Sequence, residues 1–178
     1  MGSWHPLVAH APLVLLPVAT LFAAFDFLVP ASRLRPAALF LLALGFAGAF
    51  IAVQTRGPAR HQDLLTTPGL RSIPAGGLIP KLVGNGTLMG THSALAQLTE
   101  LLYGGLLTVE LAMLFLTMPR FRAYSRGIAL TCVQERVLRG VWIGIAVVGI
   151  GLVVLTGHYG GALVYDHGVG VQTGVSPP

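Results

Sequence analysis

Four long apolar runs, at about residues 6–29, 36–55, 92–118 and 139–160, dominate the chain. Each is close to the ~20 residues an α-helix needs to cross the hydrocarbon core of a bilayer. Lipid offers a backbone no hydrogen bonds, so a segment of this kind must satisfy its own N–H and C=O groups, and helix is the form that does so. The pattern predicts an all-α fold, an integral membrane four-helix bundle built as a single domain over residues 1–178, with an outer loop at 56–91. Composition agrees, since only 10% of residues are charged, against ~25% in soluble domains. Met1 to Trp4 carry no basic residue, and the first run continues past signal-peptide length, so it reads as a span.

Within the spans, Pro6 suits a first helical turn, while Pro12 and Pro17 predict a bend in the first helix. Gly45, Ala47, Gly48 and Ala49 in the second run, and Gly140, Gly144, Gly149, Gly151 and Gly157 in the fourth, permit close helix contact in lipid.

The net charge of +5 comes from arginines at loop positions. No basic face with interleaved aromatics occurs, so the charges read as topology signals and nucleic acid is excluded as a partner. Arg33, Arg35, Arg120, Arg122, Arg126, Arg136 and Arg139 lie on one side of the bundle, against Arg56, Arg60, Arg71 and Lys81 on the other. The positive-inside rule then sends both termini and the long loop outward, which in a bacterial inner membrane is the periplasm. Residues 124–138 read either as an interfacial amphipathic helix or as a plain basic loop.

On this topology every histidine falls at the outer end. His5 and His10 open the first span, His61 lies in the loop, and His92 starts the third span. His158 closes the fourth and His167 follows it. His5 and His10 are five residues apart, about 140° around a helix, so they are not a one-face metal pair, and any site must be built between helices. His92 follows Thr91, a good N-cap, which would put it in the first turn, where the helix dipole favours the neutral, ligating imidazole. The plain alternative for each histidine is an interfacial anchor or a cap, as for His158 at a helix end. The lone Cys132 excludes a disulfide and any Cys-rich zinc or iron-sulfur site. Two imidazoles from facing helices suit a six-coordinate b-type haem better than zinc. His10 and His92 are the expected axial ligands, with His158 as substitute, His167 near the same mouth, and Arg56 and Arg60 (or Arg71) placed to meet the propionates. The glycines from Gly157 onward are expected to let the chain turn over that mouth.

Carboxylates inside a membrane are costly, so each calls for an account. Glu100 is a candidate for a proton path or for a buried packing contact, while Asp26 and Glu110 fall toward the inner interface. No catalytic elbow or phosphate-cradling loop occurs.

These residues carry a resemblance. His5-Pro6 with His10-Ala11-Pro12, then His92, then the closing Gly157 to Val171 (GHYGGALVYDHGVGV) resemble a widespread bacterial family of uncharacterised four-helix inner-membrane proteins. Ala11 stands where that family commonly has an aromatic. Its members are sometimes joined to or encoded beside c-type cytochromes, which implies a redox setting. The expected function is a membrane electron-transfer protein with a haem b near the periplasmic face, a redox carrier or subunit rather than a stand-alone enzyme. Its partners would be the lipid bilayer and a periplasmic cytochrome or a quinone. The alternatives are a cofactor-free accessory or assembly subunit of a larger respiratory or photosynthetic membrane complex, and a small proton-coupled transporter using Glu100.

Overall fold

The computed structural model describes residues 5–54, 73–83, 86–117 and 131–167. Four long helices carry the fold: α1 (His5–Leu28), α2 (Arg35–Gln54), α4 (Leu88–Thr117) and α5 (Cys132–Tyr165), with a short α3 (Leu78–Val83) before α4. All four long helices are apolar enough to cross a membrane. The expected all-α membrane bundle is therefore what the chain forms. α1 remains one helix through Pro12 and Pro17.

α1 packs mainly on α2 and α5, and α4 packs on the same two, so α1 and α4 face each other across a diagonal. Small residues set the distances. Gly45 and Gly48 of α2 lie against Leu16 and Pro12 of α1, and Gly157 of α5 lies against Leu13. The interior centres on Leu16, Leu42, Tyr103, Trp142, Ala146 and Val153. Its wall is more polar than its exterior: Thr20, Thr91, Thr99, Asp26 and Glu110 are buried, while Val14, Phe40, Leu101 and Val148 lie on the outside. That inversion is what a hydrocarbon solvent requires, because apolar side chains gain nothing by leaving it.

The threonine hydroxyls are satisfied within their own helices, and the buried aromatic donors across a helix seam. Thr20, Thr99 and Thr156 each donate to the carbonyl four residues back, at 2.9, 2.8 and 2.7 Å. Tyr103 donates to Ala146 O across the α4–α5 seam at 3.2 Å, and Trp142 Nε1 donates to Leu106 O at 2.9 Å.

Two boundaries differ from the sequence reading. α4 begins at Leu88, and Thr87 Oγ1 caps it by accepting the Gly90 N–H at 3.2 Å. Thr91 is thus inside the helix, its hydroxyl bonded back to Thr87 O, and His92 lies beyond the first turn. α5 starts at Cys132 behind a capping box of Thr131 and Gln134, and runs on to Tyr165. The basic segment from Cys132 is therefore the foot of a span, while its earlier part lies outside the described residues. Gly157, Gly160 and Gly161 are helical, so they do not turn the chain over a mouth.

Gly149 supplies a test of the packing. A Cβ there would lie 2.9 Å from the ring of Tyr103 and 2.9 Å from Leu102, and Tyr103 is fully buried. Gly149→Ala should lower stability by about 1–3 kcal/mol, the usual cost of overpacking. Gly144→Ala, in open space, should leave the melting temperature of the detergent-solubilised protein unchanged.

Candidate functional site

Chemistry gathers at the two ends of the bundle. At the histidine end, the His92 ring lies against Gly160, where a Cβ would come within 2.9 Å of its Cε1. His92 Nδ1 lies 3.0 Å from Thr156 O. A carbonyl only accepts, so this contact puts a proton on Nδ1, and in the neutral ring Nε2 then carries the lone pair. Thr156 Oγ1 is in turn 3.4 Å from Thr99 Oγ1. The ring is positioned from α5 although it belongs to α4.

The other expected ligands are placed differently. The contacts Leu13–Gly157 and His92–Gly160 bring the start of α1, the start of α4 and the end of α5 to one level, so His10, His92 and His158 share a layer. They do not share a face. Thr156 and Gly160 look at His92, and position 158 lies about 200° around the helix from each, so His158 points out of the bundle. It is exposed, with its ring edge-on to Tyr159 at a centroid distance of 5.3 Å. His10 is exposed, on the side of α1 opposite the buried positions Pro12, Leu16 and Ala19. His167 is exposed just past the helix end. Among the described residues no group of three or more His, Cys, Asp or Glu could hold a metal ion. His61, Arg56, Arg60 and Arg71 lie outside the described residues, as does the side chain of His5.

At the opposite, arginine end, the structure assembles a network that the sequence reading had divided between topology signals and stray carboxylates. Arg35 Nε donates to Glu110 Oε1 at 2.8 Å. Glu135 Oε1 lies 3.9 Å from Arg35 and 4.0 Å from Arg139, and Arg139 reaches Asp26 Oδ2 at 4.0 Å. Asp26 Oδ1 also accepts from Ser32 Oγ at 3.0 Å and from the Leu34 N–H at 2.9 Å. Those bonds close the α1–α2 connection, in which Arg33 takes the left-handed conformation at φ 54°. Five charges thus join α1, α2, α4 and α5. A cavity of about 30 Å³, lined by Asp26, Arg35, Glu110, Arg139 and Trp142, opens among them. That is room for a water. Arg35 Nη2 is buried without a hydrogen-bond partner among the described residues. Part of the signal for this network was in the chain: Asp26, Arg35, Glu110 and Arg139 all fall toward the arginine-rich ends of their spans, from Arg35 just before the 36–55 run to Glu110 eight residues inside the 92–118 run.

A match to the family described as "Predicted membrane protein (DUF2231)" covers residues 3–173. The chain belongs to that family. Its four membrane-length helices are what the DUF2231 description leads one to expect, and the resemblance read from the sequence stands. No curated protein and no solved structure matches this DUF2231 chain.

Breaking the arginine-end network should be costly, because the group left behind loses its counter-charge in a poor solvent. Removing one partner of a fully buried pair costs about 3–5 kcal/mol. Arg35 retains 26% side-chain exposure, so Arg35→Gln should cost less, about 2 kcal/mol, in chemical unfolding from detergent micelles. The double variant Arg35→Gln/Glu110→Gln should lose less than the sum of the two single variants, since it strands neither charge.

Proposed function

We propose that this membrane protein carries electrons, and that His92, through Nε2, and His10 are the residues that would hold a b-type haem at the histidine end. The observation that carries the reading is the Nδ1 contact of His92 with the Thr156 carbonyl. A ligating histidine characteristically gives its other ring N–H to such a carbonyl, which fixes the tautomer and raises the basicity of the ligating nitrogen. Gly160 adds to the fit, because any side chain there would displace the ring.

The fit is one-sided. His92 is oriented, whereas His10 shares its level but looks away from the core, so ligation by His10 needs the first turns of α1 to rotate. The haem supplies one-electron chemistry when bound. The chain's own residues hold His92 in its tautomer through Thr156, with Leu13 packed on the neighbouring Gly157. Arg56 and Arg60 are proposed to meet the propionates, with a periplasmic cytochrome or a quinone as redox partner. By the arginine count, the histidine end faces the periplasm of a bacterial inner membrane.

The second reading is a cofactor-free accessory or assembly subunit of a larger membrane complex. It is favoured by Gly144 and Gly151, which lie one above the other on the exposed side of α5 with nothing within 4 Å, a surface on which another helix can come close.

An absorption spectrum separates the two. Protein from haem-replete cells should show a Soret band that shifts on reduction, persists in His158→Ala, and is lost in His92→Ala and Gly160→Val. A colourless, fully folded protein overturns the haem reading in favour of the second.

A further inference from the structure

One helix leaves polar groups unsettled in the middle of the membrane. Gln97 and Glu100 of α4 lie 13 and 10 residues before Glu110, about 20 and 15 Å along the axis from the arginine-end network. At those depths they stand in hydrocarbon. Asp26 and Glu110 have their arginines, and Thr99 and Thr108 bond to their own helix. Neither Gln97 nor Glu100 has a hydrogen-bond or ion-pair partner among the described residues. Gln97 is exposed and Glu100 half-buried. A primary amide facing lipid tails forgoes four hydrogen bonds, and a carboxyl there is costlier still.

The surroundings say what would satisfy them. Gln97, Leu101, Gly105, Thr108 and Ala112 recur every three or four residues, and all are exposed. They form one face that begins at Gln97 and continues for 15 residues, about 22 Å, most of the hydrocarbon thickness. Glu100 borders this face on the α2 side. Gly104 touches Phe46, and in antiparallel helices one turn further toward the histidine end pairs the levels of Glu100 and Phe50. A small polar molecule would need one spot, whereas a face of this length fits another helix. Gly105 has nothing within 4 Å, so a second backbone can approach it.

We propose that this face of α4 joins a second copy of the chain in the membrane. The chemistry is self-complementary. A carboxamide both donates and accepts, so about a twofold axis along the membrane normal Gln97 bonds the partner's Gln97, and Glu100 reaches the same amide from the side. Leu101 and Gly105 then lie near the axis. The dimer places two histidine ends side by side and does not depend on what those histidines bind.

The chain's single cysteine makes the test direct. In a Cys132→Ala background, Leu101→Cys and Gly105→Cys are introduced one at a time on α4, and Val148→Cys on the outer face of α5 as a control; each is oxidised in native membranes. Leu101 and Val148 are 73% and 65% exposed, so both variants should fold. The α4 cysteines should give a disulfide-linked band at twice the chain mass, at least fivefold above the α5 control. Adding Gln97→Leu and Glu100→Leu to Leu101→Cys should reduce that band at least threefold. The inference is overturned if the α4 cysteines link no better than Val148→Cys, if the leucine substitutions leave the yield unchanged, or if the product contains a different protein.

Discussion

Hydrocarbon gives a polar group nothing to bond with, and the placement of nearly every heteroatom in this bundle follows from that. Backbone groups are closed into helices, threonine hydroxyls turn back onto their own carbonyls, and Tyr103 and Trp142 each find a carbonyl across the α4–α5 seam. The charged groups are pooled instead. Asp26, Arg35, Glu110, Glu135 and Arg139 come from four helices and meet at one end, where each guanidinium contacts two carboxylates. Such a network is weak evidence of added stability, because desolvation offsets most of the attraction. Its effect is on specificity, since only one rotation and depth of each helix brings all five groups together.

The same solvent explains how the two faces of α5 differ. Toward α4 the helix presents Gly149, Ala146, Thr156 and Gly160, which admit Tyr103 and His92. Away from α4 it presents valines, Gly144, Gly151 and His158. The glycines are therefore of two kinds. Gly149 and Gly160 are small because an aromatic or imidazole ring lies on them, and Gly144 and Gly151 face open space.

Much of the architecture was legible in the sequence. Apolar run length determines the number of spans, and the arginine count separates the ends. Helix limits were less legible: α4 starts a turn before His92 because Thr87 rather than Thr91 is the cap, and two threonines four residues apart give the same local signal. α5 outlasts its apolar run because Gly157 and Gly160 keep helical geometry where Leu13 of α1 and His92 of α4 pack on them. The level shared by the histidines could be read from span ends alone, but their directions could not. His158 and His92 part company because the residues on either side of His158, Thr156 and Gly160, are the ones that face α4. Arg35 and Arg139 were counted for their sign, and their partners appeared only when Asp26 and Glu110 were brought to the same depth.

The ion-pair network also links the two helical hairpins. Asp26 accepts from Ser32 and Leu34, so the first hairpin can close its own turn as soon as α2 has entered the membrane. Arg35 has no such local outlet. Its carboxylate is 75 residues downstream, and Arg139, the second cation of the set, follows later still. Arg35 therefore has its carboxylate partner only when the second hairpin is in place. The Arg35–Glu110 pair holds the two hairpins at a common depth, so that their level relative to each other is fixed by a side-chain contact as well as by apolar length.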